Sequence, residues 1–146
     1  MGTDVITGST TLSAPVGVVF DYVFDYGNIP QWVAGVSGCY RNEDAPYDFT
    51  LEISVHSITH RAAFTTRSWV LNDSISLVST DHHEAGVDME FMRIGPNSCA
   101  VAVTLRYPVA NGLIFRPVNL AGRAVAQRIL DRSARKLEAS IARRSS

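Results

Sequence analysis

The stretch Ser13-Ala14-Pro15-Val16-Gly17-Val18-Val19-Phe20, with its continuation to Ile29-Pro30-Gln31-Trp32, decides how the chain is read. Before it, Asp4 to Leu12 is rich in threonine, valine and isoleucine and predicts a strand. Ser13-Ala14-Pro15 then predicts a helix start. Pro15 is expected at the first helical position, where a missing N–H costs nothing. Val16, Val19, Phe20 and Val23 follow at helical spacing, and Tyr26-Gly27 marks the stop. Asn28 to Trp32 predicts a second, short helix, with Asp25 placed to cap it.

Downstream the period shortens to two. Phe49, Leu51, Ile53 and Val55 alternate with Thr50, Glu52, Ser54 and His56, the pattern of a half-buried strand. Further runs cover Arg61–Leu71, Ile75–Thr80, Val87–Ile94 and Ala100–Tyr107. Asn72-Asp73-Ser74 and Gly95-Pro96-Asn97-Ser98 read as turns between them. Such short connections favour an antiparallel meander.

After Pro108 the helical period returns. Val118, Gly122, Val125, Ile129, Ser133, Leu137 and Ile141 make one apolar stripe on a long helix, with arginines over much of the remaining surface. The surface broad enough to receive that stripe is the concave face of the sheet. The expectation is an α+β fold of one domain over residues 1–146. It has a curved antiparallel sheet of about six or seven strands, two short helices and a long C-terminal helix.

Composition bounds the function. Of the 146 residues, 46% are apolar and 18% charged, which is globular. The net charge of -1 gives no general attraction to nucleic acid, and no DNA partner is expected. Eight of the 13 basic residues lie from Arg116 onward, against two acidic ones there. Arg128, Arg132 and Arg135 fall away from the apolar stripe and read as a solvated face. Contact of this helix with RNA, anionic lipid or an acidic protein is the weaker alternative. Arg143 and Arg144 complement the dipole at the helix end. Lys136 is the one lysine, a bias expected of a GC-rich bacterial genome. Cys39 and Cys99 lack metal-ligand spacing and read as free thiols. The N-terminus has neither the basic start nor the apolar run of a signal peptide, so a cytoplasmic protein, monomer or dimer, is expected.

The element order resembles the START-like superfamily, which includes the polyketide cyclase/dehydrase and lipid-transport group and the plant pollen-allergen fold. The resemblance is carried by Thr11-Leu12-Ser13-Ala14-Pro15, Val19-Phe20, Asp25, Ile29-Pro30-Gln31-Trp32 and Gly35-Val36, and by Gly112-Leu113 through to Leu137-Glu138. It implies a helix-grip fold whose sheet and long helix enclose a cavity for a hydrophobic small molecule such as a lipid, quinone or polyketide-like compound. Polyketide aromatase/cyclase or dehydratase activity is the catalytic alternative. No cofactor is implied.

The residues expected around such a ligand are Phe20, Trp32, Val36, Leu51, Ile53, Phe64, Leu77, Phe91, Phe115, Val118, Gly122 and Val125. Trp32 reads equally as a lining residue and as a plug of the core. On Arg61–Leu71, alternation puts Phe64 inward and Trp69 with Arg67 outward, although the size of Trp69 argues the reverse. Catalysis would need polar groups in an apolar cavity. Arg93, Tyr40 and Tyr107 are the candidates, Arg93 because it shares a face with Val87, Met89 and Phe91, and Asp81 could point inward by the same reasoning. His56, His60, His82 and His83 lack ligand spacing, so no metal site is expected.

Overall fold

A computed structural model describes residues 3–55, 57–81, 85–108 and 116–145. Its elements run β1 (Thr3–Leu12), α1 (Val16–Phe24), a 3-10 turn (Tyr26–Asn28), α2 (Ile29–Trp32), β2 (Val36–Asn42), β3 (Ala45–Val55), β4 (Ile58–Val70), β5 (Ser74–Ser79), β6 (Gly86–Gly95), β7 (Ser98–Pro108) and α3 (Arg116–Ser145). The seven strands form one antiparallel sheet in the order β1-β7-β6-β5-β4-β3-β2. Strands β2 to β7 are a meander, and β1 joins its far side by pairing with β7. This is the helix-grip α+β fold.

Two local expectations need correction. Pro15 is the cap residue of α1, not its first helical residue: its backbone is extended at ψ 145°. That conformation lets its carbonyl accept from the N–H groups of Val18 and Val19 at 3.1 and 3.2 Å. The helix ends at Phe24, just before Tyr26-Gly27. Asp25, expected to cap the second helix, instead caps the 3-10 turn, a side-chain oxygen accepting from Gly27 N–H at 3.3 Å, while Asn28 is the cap residue of α2. The same carboxylate meets Arg41 at 3.3 Å, tying the turn to β2. The β4–β5 turn falls where Asn72-Asp73-Ser74 predicts it, and Asn72 takes a left-handed φ of 61°, which asparagine tolerates better than most residues.

The facing of β4 turns on a bulge. Thr66 opposes Leu77 but Ser68 opposes Ser76, so β4 carries one extra residue there, Arg67. Before it the inward set is even-numbered and includes Phe64. After it the set becomes odd, because a one-residue shift moves side chains to the other face. Trp69 therefore joins Phe64 on the inner side, correcting the outward expectation. Its ring lies 4.9 Å from Phe24 and 6.5 Å from Phe20, although it stays 40% exposed.

The core fills the space between the concave sheet and the helices. Phe20 is fully buried and meets Phe24 at 5.4 Å and Phe91 at 5.1 Å. Cys99 is buried and Cys39 half-buried, and both are free; burial pushes both thiols up, with Arg41 partly opposing this at Cys39. In α3, Ser133, Leu137, Ser140 and Ile141 are buried while Arg128, Arg132 and Arg135 are exposed, as a stripe with a solvated face requires. Arg144 lies 5.1 Å over the Tyr22 ring. Thr10 Oγ1 donates to the Glu138 carboxylate, and Ala34 N–H donates to Ser133 Oγ at 2.9 Å. Helix α3 is thus held at both β1 and the residues after α2. Among the described residues, no helix is long and apolar enough to cross a membrane.

Candidate ligand cavity

Between the sheet and α3 lies a cavity of about 170 Å³. Its floor comes from alternate residues of the central strands: Phe49 and Leu51, Phe64, Leu77, Val87 and Met89, and Val101, Val103 and Leu105. Period two is what delivers such a floor, since only every second side chain faces one side of a strand. Helix α3 supplies the roof through Ile129, Leu130, Ser133, Ala134 and Leu137. Val23, Tyr26, Ile29, Trp32 and Val33 close one end, and Gly8 to Thr10 run along one side.

Of the residues expected around a ligand, Trp32, Leu51, Phe64 and Leu77 lie on this wall. Phe20, Val36 and Phe91 are buried in the adjoining core instead, and Ile53 packs against it half-buried. Phe115, Val118, Gly122 and Val125 lie outside the residues whose side chains are described, as do Tyr107, His56, His82 and His83. For Trp32 the two readings merge: it is only 7% exposed, belongs to the core cluster and also lines the cavity.

Two catalytic candidates stand elsewhere. Tyr40 is on the outer face, 52% exposed, with Arg61 5.5 Å over its ring and Glu52 accepting from its hydroxyl at 3.4 Å. Arg93 is exposed although its neighbours Met89 and Phe91 are buried. It sits at the end of β6, beside a register shift between Arg93 and Gly95, so its long side chain reaches water. Asp81 is likewise exposed, with its carboxylate accepting from Ala63 N–H at 3.4 Å. Among the described residues, no group of three His, Cys, Asp or Glu side chains could hold a metal ion.

Tyr26 is a cavity residue that the sequence pattern does not flag, because Tyr26-Gly27 has the look of a helix stop. Its ring lies 4.4 Å from Phe49, which lies 5.7 Å from Phe64, so three aromatic rings line one end in series. Its hydroxyl is 2.6 Å from Thr66 Oγ1. Thr66 Oγ1 donates its own proton to the Tyr47 carbonyl at 3.1 Å. A hydroxyl has one proton to give, so Thr66 accepts here and Tyr26 donates.

Burial pushes the Tyr26 hydroxyl from its ordinary 10.0 up to about 12; Thr66, whose hydroxyl can turn to donate to the phenolate, opposes this and Tyr47 adds to it. The folded protein therefore holds this proton more tightly than the unfolded chain does. The resulting stability is complete below about pH 10 and is lost as pH rises toward 12. Replacing Tyr26 with Phe should flatten the fall in unfolding free energy over that window. An unchanged slope would remove Tyr26 as its source.

A long helix laid on a curved antiparallel sheet is also the fold of known proteins. The model of the polyketide cyclase/dehydrase and lipid transport family matches residues 12–134. The chain belongs to this family. No curated protein matches the sequence. Among solved structures, it is similar to the Zhui aromatase/cyclase from Streptomyces sp. R1128 at a TM-score of 0.85 and 10% identity, covering 99% of this chain and 97% of that one. A protein from Thermus thermophilus gives a TM-score of 0.82 at 14% identity, covering 98% of this chain and 100% of that one. A START superfamily protein from Mycobacterium smegmatis gives 0.71 at 19% identity, covering 97% and 99%. At such identities the likeness is one of fold. Members of the polyketide cyclase/dehydrase and lipid transport family are named for both chemistry and carriage, so membership leaves the choice to the cavity itself.

Proposed function

We propose that the chain binds a hydrophobic small molecule between its sheet and α3, without transforming it. The observation that carries this reading is the cavity wall. Its described residues are overwhelmingly hydrocarbon, and the ionisable ones among them are Tyr26 and Asp131. Tyr26 is committed to Thr66 and holds its proton far above neutral pH, which suits neither a general acid nor a general base there. Asp131 is exposed and accepts from Gln127 at 3.2 Å. Chemistry on a polyketide chain would need an acid or base aimed at the substrate, and these two form no such pair. Desolvating an apolar ligand at about 25 cal/mol per Å² gives several kcal/mol for a few hundred Å².

Titration with the neutral two-ring dye 1-naphthylamine tests this reading. One dye should bind per chain with a strong rise in fluorescence, and the natural occupant should displace it. Native mass spectrometry of protein purified gently from its own host should show that occupant as a bound apolar mass. Dye binding that fails to saturate at one per chain, with no bound mass, would overturn the proposal.

A further inference from the structure

Trp32 is nine-tenths buried, lines the cavity, and has an indole Nε1–H with no acceptor among the described residues. Indole nitrogen can only donate. Buried donors in folded proteins are paired in the great majority, and an unpaired one asks for an explanation. The neighbouring polar groups do not supply it. Ser133 Oγ is engaged by Ala34 N–H at 2.9 Å, and the Tyr26 and Thr66 hydroxyls satisfy each other and the Tyr47 carbonyl.

The charge on the wall restricts what could meet this donor. Its described residues include no Arg, Lys or His, and the one carboxylate, Asp131, is exposed. An anionic acceptor would enter an apolar space without a cation to pair it, which is strongly unfavourable. A neutral carbonyl oxygen suits the site. Size narrows it further, because a dry cavity of about 150 Å³ admits a benzene-sized ring and this one is about 170 Å³.

We infer that the ligand is a neutral one- or two-ring compound whose carbonyl oxygen accepts a hydrogen bond from Trp32 Nε1–H. This rests on the proposal that the cavity is a ligand site. It adds that recognition has one polar determinant, which orients an otherwise apolar molecule toward α2.

The test compares 1-indanone with 1-methyleneindane, which share a shape and differ in carrying C=O or C=CH2. Wild-type protein should bind the ketone about tenfold more tightly, as a hydrogen bond made against one left unmade predicts. Trp32→Phe should bind both within twofold of each other. In wild-type protein the Trp32 indole proton should move downfield with the ketone and not with the hydrocarbon, its resonance told from that of Trp69 by Trp69→Phe. This second readout decides the matter even if Trp32→Phe does not fold. Equal affinities with no ketone-specific shift would overturn the inference and leave the apolar site standing. Binding of neither compound would overturn the inference and the ligand-site proposal together.

Discussion

Phe20→Ala is expected to lower the unfolding free energy by about 3–5 kcal/mol, seen as a lower denaturation midpoint with little change in slope. The ring is fully buried and packs edge-on against Phe91 while meeting Phe24 and Trp69. It therefore joins α1 to β6 and to the end of β4 beyond the bulge. Removing it forfeits the transfer of the ring from water and leaves a hole that these neighbours fill only in part. Domains of this size commonly hold about 5–15 kcal/mol in total, so the variant should be near its folding limit. A loss below about 1 kcal/mol would mean that Phe20 is not the pivot of this aromatic cluster.

Val103→Phe should have the opposite profile, abolishing binding while sparing the fold. Val103 is half-buried on β7 and lines the cavity floor opposite α3. A phenyl ring there would grow into empty space instead of into packed neighbours. A phenyl side chain would fill much of the cavity of about 170 Å³ and so take the place of the ligand. Dye binding should weaken at least about a hundredfold, since the dye would no longer bury its apolar surface there. Stability should change by less than about 1.5 kcal/mol, as hydrophobic swaps that do not overpack typically do. Unchanged binding in a folded variant would place the dye elsewhere on the protein.

Much of the fold is legible in the sequence because periodicity reports burial directly. The alternation of Phe49, Leu51 and Ile53 and the stripe ending in Leu137 and Ile141 both correspond to inward faces. Trp69 defeats parity counting, which assumes an unbroken strand, and nothing in Thr66-Arg67-Ser68 announces a bulge. Arg93 shares the parity of the inner face, but at a strand end parity no longer decides burial. The cavity is less legible than the sheet. Alternation separates inward from outward residues, yet not those that touch a void from those that touch each other. Phe20 and Phe91 pack on one another, while Phe49, equally inward by alternation, lines the void. Val101, Val103 and Leu105 carry a usable signal in their alternation along β7. Tyr26 carries none, since its position depends on Thr66, 40 residues away.

The hydrogen bond from Ala34 N–H to Ser133 Oγ bears on which molecules the protein accepts. A helix resting on a sheet by an apolar stripe is free to roll through small angles, because hydrocarbon contacts are nondirectional. A hydrogen bond is directional and fixes azimuth. Since positions three and four apart on a helix differ by about 60° and 40° in azimuth, a roll of that size would move Leu130 or Ala134 off the void. Together with the bond from Thr10 to Glu138, Ser133 sets the bearing of α3 and so decides that Leu130 and Ala134 are the side chains facing the void.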